Sequence, residues 1–309
     1  MAIPSHAASV LRCLVATVSD ASRETRNTGA VPPLVSIVVP VFNGERYLPD
    51  LIASVLGQDY PNLEIIFSEG GSTDSSAEIL EAIEDPRVRV IHQPTGTSAA
   101  GNWTAATMAA GGEFTKLVCQ DDLIHPDTIT RQVGDLQEFP SAVMAVGQRD
   151  IVDAASKVVY APRGLAGVHA RVLSGTDALR ACYRAGTNVI GEPLAVLFRT
   201  DALQSVMPWQ DSNPLMLDLS TYTRIAPLGD VVLRHESVGA FRVSASSWST
   251  RIARQQNHQT REWQHQFEQS GSAEISRRDQ ARGWIGRHAQ VNLRRAAYFA
   301  LRTRGRLNP

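Results

Sequence analysis

The sequence predicts an α/β protein built on a doubly wound, mostly parallel sheet. Three observations support this prediction. Between Leu34 and about Pro140, β-branched segments alternate with segments of helical periodicity, short turns join them, and the first strand segment, residues 35–41, is apolar almost throughout. A strand that is buried on both faces has such a continuous apolar run. Regular alternation of strands and helices with short loops favours parallel pairing through right-handed crossovers.

The elements of the first half follow in order. Four strands are predicted, at residues 35–41, 63–67, 88–91 and 114–119. Each is followed by a helix, starting near Tyr47, at a cap formed by Ser72 or Asp74, at Ala99 and after Pro126. Beyond residue 150 the pattern is looser, with strands predicted at 158–160, 194–198 and 231–233 and helices at 175–183 and 217–225.

Composition narrows the class of protein. The 309 residues carry a formal net charge of −1, so no general affinity for nucleic acid is expected. The three cysteines are odd in number and lack a C-x-x-C spacing, which predicts neither a disulfide framework nor a zinc cluster and favours a cytoplasmic location. The apolar run from Ala7 to Val18 is shorter than a bilayer span.

Four regions are expected. They are a partly disordered N-terminal extension (1–33), a regular α/β half (34–150), a less regular half of the same domain (151–250) and an arginine-rich helical region (251–309).

Polar residues stand just beyond three of the predicted strands: Asn43, Glu69 and the pair Asp121-Asp122. In open parallel sheets, ligands bind outside the carboxyl ends of the strands, so these residues are expected to converge on one crevice. Adjacent carboxylates suit a hard divalent cation that bridges phosphate oxygens, although the same pair could instead cap the next helix.

The turn that begins at Glu69 has a different chemistry. Its glycines permit close approach of a ligand, and the carboxylate can accept from a nucleobase or a ribose hydroxyl; an ordinary strand-to-helix turn is the alternative. Residues 41–45 lack the G-x-G-x-x-G pattern, which disfavours a dehydrogenase.

Taken together, these segments resemble glycosyltransferase family 2. The resemblance is carried by Val35-Ser36-Ile37-Val38-Val39-Pro40-Val41-Phe42-Asn43-Gly44, then Ser68-Glu69-Gly70-Gly71-Ser72-Thr73-Asp74, and then Gly112-Glu113-Phe114 leading to Asp121-Asp122. It is strong over residues 34–150 and weaker over 191–249. The resemblance implies a GT-A fold and inverting transfer of a sugar from a nucleoside diphosphate to a hydroxyl group, with Mn or Mg as cofactor.

The resemblance also implies roles for individual residues. The residues expected to bind the nucleotide sugar are Pro40, Phe42, Asn43, Glu69, Asn102, Gln120 and Asp121. Asp121 and Asp122 are expected to bind the metal. This chain departs from the family at two of its positions: Glu69 stands where aspartate is usual, and Cys119 replaces the first aspartate of the Asp-x-Asp motif.

The second half is expected to supply the acceptor side. Asp218, ahead of a predicted helix, is the candidate general base, with a helix-cap role as the alternative and Asp211 in reserve. Glu192 lies in a segment that resembles the acceptor-side loop, or else in a plain turn. Arg242 and the serine-rich loop around Trp248 resemble the segment that covers the diphosphate, with Ser244 where histidine is often found.

The C-terminal region is strongly basic. Nine arginines lie between Arg277 and Arg306 against a single acid, Asp279, with apolar side chains interleaved. This pattern fits a basic amphipathic helix on anionic lipid at the inner face of the plasma membrane, which would suit a lipid-linked acceptor. A solvated helix packed on the catalytic domain is the alternative.

Two other functions are open. A non-catalytic nucleotide-sugar-binding or partner-binding module would account for Cys119 and for Gly70 at usually acidic positions. A nucleotidyltransferase would need a glycine-rich basic loop after the first strand, where only Arg46 is found.

Overall fold

The protein is described by a computed structural model that covers residues 31–165, 171–210, 212–245, 247, 250 and 255–307. The predicted N-terminal extension lies almost wholly outside the described residues, as do Asp211 and Trp248. From Pro33 onward the described residues belong to one compact unit, so the two predicted halves and the C-terminal helices share packing. The region boundaries at 150 and 250 stay predictions.

The described strands form one sheet. They are β1 (Val35–Val41), β2 (Leu63–Glu69), β3 (Val88–His92), β4 (Phe114–Leu117), β5 (Leu123–Ile124), β6 (Ala142–Val152), β7 (Val158–Arg163), β8 (Val172–Ser174), β9 (Val196–Arg199) and β10 (Asp230–Arg242). Their order is β3-β2-β1-β4-β9-β6-β10-β5, with β7 paired to β6 and β8 to β10. Strands β3, β2, β1 and β4 are parallel neighbours, as predicted.

Helices cover both faces of the sheet. They are α1 (Leu48–Leu56), α2 (Ser76–Glu81), α3 (Ala99–Met108), α4 (Thr128–Glu138), α5 (Gly175–Ala185), α6 (Thr200–Ser205), α7 (Leu217–Ile225), α8 (Gln256–Ser270) and α9 (Arg277–Thr303). The side chains of β1 alternate between the two faces: Ile37 and Val39 pack with α1 and α4, whereas Val38 packs on the face that α3 and α5 cover. This double burial explains the continuous apolar run of β1.

The second half departs from the sequence prediction in two ways. The long strand β6, eleven residues, was not predicted, although it lies at the centre of the sheet. Strand β9, predicted as a buried strand, runs antiparallel to both of its neighbours, β4 and β6. The other strands on the path from β3 to β10 run in one direction, so the sheet remains mostly parallel and their carboxyl ends meet at one edge.

Candidate functional site

The turns after β1 and β2 are hydrogen-bonded to each other side by side. The backbone N–H of Asn43 donates to Ser72 Oγ at 3.0 Å, and Asn43 Oδ1 accepts from the N–H of Thr73 at 2.8 Å. The N–H of Gly44 donates to Ser76 Oγ at 2.8 Å. Asn43 has φ of 51°, a left-handed conformation that asparagine adopts more readily than most residues. The two turns thus form one shared rim, and the predicted convergence of Asn43 with the Glu69 turn is present.

Glu69 lies inside this rim, with 5% of its surface exposed. Its carboxylate accepts the N–H of Gly71 at 3.0 Å and that of Ser72 at 2.6 Å. Burial alone would raise the pKa of Glu69, but the hydrogen bonds from Ser72 and Gly71 outweigh it and leave the pKa below its ordinary value. The carboxylate therefore shapes its own turn, and contact with a nucleobase stays a prediction.

Gln120 joins the rim to the acidic strand end. Its Oε1 accepts the N–H of Phe42 at 2.7 Å, and its Nε2 donates to the carbonyl of Phe42 at 2.9 Å. A Cβ on Gly44 would lie 2.7 Å from Gln120 Oε1, so a side chain at this position would displace the Gln120 amide. Pro40 is buried in β1, whereas the Phe42 side chain is half exposed beside the crevice.

Asn102, in α3, is buried beneath the same rim. Its Nδ2 donates to the carbonyl of Val41 at 3.1 Å, and its Oδ1 is buried with no hydrogen-bond partner among the described residues. A Cβ on Gly70 would lie 2.8 Å from that Nδ2. Asn102 therefore holds the end of β1 against the second turn.

The two aspartates of the acidic strand end have different environments. Asp122 is fully buried, and its Oδ1 accepts the N–H of Arg242 at 3.1 Å. Burial and then the charge of Asp121 raise the pKa of Asp122 well above its usual value, which favours the neutral acid. Asp121 is partly exposed, and its Oδ2 accepts from Ser247 Oγ at 3.2 Å. Of the two predicted metal ligands, only Asp121 is partly exposed.

Arg242 is almost fully buried at the end of β10, with 1% of its surface exposed. Its contact with a diphosphate stays a prediction. Its Nε donates to the carbonyl of Asp121 at 2.8 Å, its Nη1 donates to Ser156 Oγ at 2.8 Å, and its guanidinium lies 4.4 Å from the ring centroid of Tyr47. A long cationic side chain at the end of a buried strand is drawn inward by these partners. Arg242 therefore fixes the acidic loop.

The side chains at the acidic strand end decide whether a divalent cation can bind there. Among the described residues, no group of three or more His, Cys, Asp or Glu side chains could hold a metal ion by itself. Mg²⁺, however, usually keeps several waters and binds one or two carboxylates together with substrate phosphates. A single accessible carboxylate at Asp121 fits a cation that arrives with a diphosphate, and does not fit a closed protein cage.

Asp218 lies in the first turn of α7 and is partly exposed. Its Oδ1 accepts the N–H of Leu219 at 2.6 Å, and its Oδ2 accepts from Asn188 Nδ2 at 2.8 Å. Burial, followed by the nearby charge of Glu192, raises the pKa of Asp218 to about 7. A carboxylate of that pKa can take up a proton near neutral pH, as a general base must.

The loop between α5 and β9 holds Asp218 and Glu192 together. Asn188 Nδ2 also donates to the carbonyl of Gly191 at 2.9 Å, and Asn188 Oδ1 accepts the N–H of Gly191 at 3.0 Å. Gly191 has φ of 119°, where glycine is strongly favoured. Glu192 pairs with the buried Arg149; burial would raise the pKa of Glu192, but the arginine outweighs this and lowers it. Glu192 therefore remains ionised beside Asp218.

Cys119 links the nucleotide side of the crevice to the acceptor side. Its thiol has a pKa well above the ordinary value because of burial and then the charges of Asp122, Asp121, Asp218 and Glu192. These four carboxylates therefore lie within electrostatic range of Cys119. Their negative charges favour the protonated thiol, which is itself partly exposed.

Two residues of this site were missed by reasoning from the sequence: Arg149 and Asn188. Arg149 lies on the unpredicted strand β6, and Asn188 lies in a loop with no periodic signal. The sequence offered one indication of Asn188: it lies three residues before Gly191, where the predicted acceptor-side loop begins.

The chain matches the family described as "Glycosyl transferase family 2" over residues 36–205, more than half of its length. It is 38% identical over 113 residues to glycosyltransferase GlyG of Streptococcus pneumoniae, a match covering 36% of this chain and 38% of that protein. It is 29% identical over 138 residues to the putative teichuronic acid biosynthesis glycosyltransferase TuaG of Bacillus subtilis, covering 43% of this chain and 55% of TuaG. The chain thus spans about two fifths to just over half of these relatives.

Solved structures share the fold. TarS residues 1–349 of S. aureus superpose with a TM-score of 0.63 at 17% identity, covering 82% of this chain and 71% of that one. The mannosyltransferase PcManGT of Pyrobaculum calidifontis, in complex with GDP-Man and Mn2+, gives a TM-score of 0.57 at 17% identity over 96% and 79% of the two chains. The ordered motifs, the mostly parallel sheet with its acidic strand end, and the extent of the family match together confirm the predicted fold, and the chain belongs to glycosyltransferase family 2.

Proposed function

We propose that this protein transfers a sugar from a nucleoside diphosphate sugar to a hydroxyl acceptor, with inversion at the anomeric carbon. The observation that carries the proposal is the cluster around Cys119. There Asp121, a partly exposed carboxylate held by Ser247, is suited to a cation, and Asp218, whose oxygens are held by Asn188 and the N–H of Leu219, has a raised pKa; both lie within electrostatic range of the Cys119 thiol. A leaving-group side and a proton-accepting side are the two chemical requirements of this transfer.

Asp218 serves the proton-accepting side, and Asp121 serves the leaving-group side. The oxygen of the acceptor hydroxyl attacks the anomeric carbon, and Asp218 takes the proton of that hydroxyl. The attack comes from the face opposite the diphosphate, and the bond between the anomeric carbon and the diphosphate breaks. Asn188 and the N–H of Leu219 hold the two oxygens of Asp218, so that the carboxylate is oriented before the substrate arrives. Asp121, oriented by Ser247, would hold Mn or Mg, and the bound cation would offset the charge of the leaving diphosphate.

The substrate class is proposed from the relatives. TuaG is named for teichuronic acid biosynthesis, TarS is described in complex with UDP-GlcNAc, and PcManGT with GDP-Man and Mn2+. We infer a role in the synthesis of cell-surface polysaccharide, glycolipid or a related glycoconjugate, with a lipid-linked saccharide as acceptor. The proposed location is the cytoplasm, peripheral to the inner face of the plasma membrane.

A thermal-shift screen of UDP-, GDP- and dTDP-sugars, with and without Mn, tests the proposal. We expect one nucleotide class to raise the melting temperature, with a larger rise when Mn is present. The Asp121→Asn variant should lose the additional rise due to Mn while keeping its own melting temperature near that of the wild type. Failure of every donor to bind would contradict the proposal.

A non-catalytic binding module is the second candidate, favoured by the engagement of Glu69 within its own turn. Complementation of a deletion strain with Asp218→Asn separates the two. A module of this kind needs no base and would be fully functional with asparagine, whereas a transferase would not.

A further inference from the structure

Helix α9 carries an exposed face that is both basic and apolar. The apolar side chains exposed on it are Trp284, Ile285, Leu293 and Phe299, and the exposed arginines are Arg277, Arg278, Arg282, Arg295 and Arg302. We propose that these residues, the α9 face, dock the protein on the surface of an anionic lipid bilayer. This inference goes beyond the proposed transfer reaction and does not depend on it.

The charge of α9 is concentrated and uncompensated. The helix has seven arginines and one aspartate, a net charge of +6, so the rest of a chain with total charge −1 carries −7. The single acid, Asp279, is buried and engaged by Arg184 and by the capping box of Ser276. None of the five exposed arginines of the α9 face has an ion pair within the described residues.

The apolar side chains are exposed to an unusual degree. Trp284 is 59% exposed, Ile285 60%, Leu293 62% and Phe299 72%. At about 100° per residue, Trp284, Ile285 and Phe299 point within about 100° of one another, with Arg295 and Arg302 in the same sector, and Leu293 lies at its margin, about 80° beyond Ile285. Aromatic and aliphatic side chains interleaved with arginine are typical of a helix lying in the lipid interface.

The opposite side of α9 is embedded, so the α9 face is held in a fixed orientation. Buried residues of the helix include Gly283, Arg287, Val291 and Leu301. The contact with α5 is close, because a Cβ on Gly186 would lie 2.1 Å from the backbone nitrogen of Arg287. Deleting the helix would therefore uncover core, and the surface is better tested by substitution on the whole chain.

The geometry favours a bilayer over other occupants. The 27 residues of α9 extend over about 40 Å, and their exposed apolar side chains are spread along the helix without forming a compact patch. Such spacing gives a protein partner no central packed cluster, whereas a lipid surface accepts each side chain separately. Among the described residues, no helix combines the length and apolarity needed to cross a membrane, so the proposal concerns binding at the surface.

Co-sedimentation of the full chain with vesicles tests the proposal. The vesicles would contain phosphatidylcholine with or without a third of phosphatidylglycerol, at low and high salt. We expect binding to the anionic vesicles only, weakened by salt. Replacing both Arg295 and Arg302 with glutamine should lower the partition coefficient about 30-fold, since each arginine near an anionic surface contributes about a factor of five.

A matched pair of variants tests the apolar part. Trp284→Ser with Phe299→Ser should reduce binding, whereas Leu228→Ser with Met108→Ser, which removes side chains 54% and 52% exposed elsewhere, should not. Thermal melts verify that each variant is folded. Equal binding to neutral vesicles, or unchanged binding by both α9 variants, would overturn the proposal. A third outcome would also overturn it. If the wild type bound no vesicles but formed a dimer, and Trp284→Ser with Phe299→Ser abolished the dimer, the α9 face would bind a second copy of the chain.

Discussion

Asp218 offers the sharpest test, because its raised pKa predicts how the rate depends on pH. With a pKa of about 7, roughly a tenth of the molecules carry ionised Asp218 at pH 6 and roughly nine tenths at pH 8. Only the ionised form accepts a proton, so the turnover rate at saturating donor should rise about tenfold between these pH values. An aspartate at its ordinary value of 3.8 would give no change over this range.

The assay is release of nucleoside diphosphate, measured under single turnover with the best donor and acceptor found in the screen. Asp218→Asn should lower the rate by about 10²- to 10⁴-fold and remove the pH dependence near 7. Asp201→Asn is the matched control. Asp201 also lies in the first turn of a helix and accepts the N–H of the next residue, at 2.7 Å, but it is exposed.

Glu192→Gln tests the cause of the raised pKa. The charge of Glu192 raises the pKa of Asp218, so removing it should lower that pKa and move the acid limb of the rate profile to lower pH. A flat profile from pH 5.5 to 8 in the wild type would refute the assignment of Asp218 as base. A limb that moves to higher pH in Glu192→Gln would refute the electrostatic reasoning.

Three further predictions concern other parts of the crevice. Gly191→Ala should destabilise the fold by about 1–3 kcal/mol, because φ is positive there and the new Cβ would lie 2.9 Å from the Cβ of Ala195. Urea unfolding measures the loss of stability, and an unchanged midpoint would contradict the prediction. Gln120→Leu removes both hydrogen bonds to the Phe42 backbone and should raise the KM for the donor more than it lowers kcat; an unchanged KM would show that the rim does not need this link. Chelation with EDTA should abolish activity, and Mn should restore it in the wild type but not in Asp121→Asn; full activity in EDTA would remove the metal from the mechanism.

Much of the nucleotide side could be predicted from the sequence, because its parts are local. The buried run of β1 and the helical spacing after it define a strand and a helix within a few residues, and the parallel topology then brings Asn43 and the Glu69 turn to one edge. Asp218 at the start of α7 was found for the same reason, since the helix Leu217–Ile225 has a clear pattern.

The acceptor side depends on contacts between segments distant in sequence. Arg149 reaches Glu192 across 43 residues, and Arg242 reaches the acidic loop across about 120. No periodic pattern records such pairs, so the partners that hold Arg242 against the acidic loop could not be predicted from the sequence. Strand β6 follows α4 after a turn at residues 140–141, but its short apolar half cannot be told from a buried helical segment by periodicity alone.

The hydrogen bonds that join the turns after β1 and β2 have a consequence for engineering. Asn43, Gly44 and Glu45 on one turn are bonded to Ser72, Asp74 and Ser76 on the other, so neither turn adopts its shape alone. A preorganised cradle of this kind loses little conformational freedom when a ligand binds. Changing the preferred nucleotide should therefore require transplanting both turns as a unit, because a graft of one would leave the other without the partners that define it.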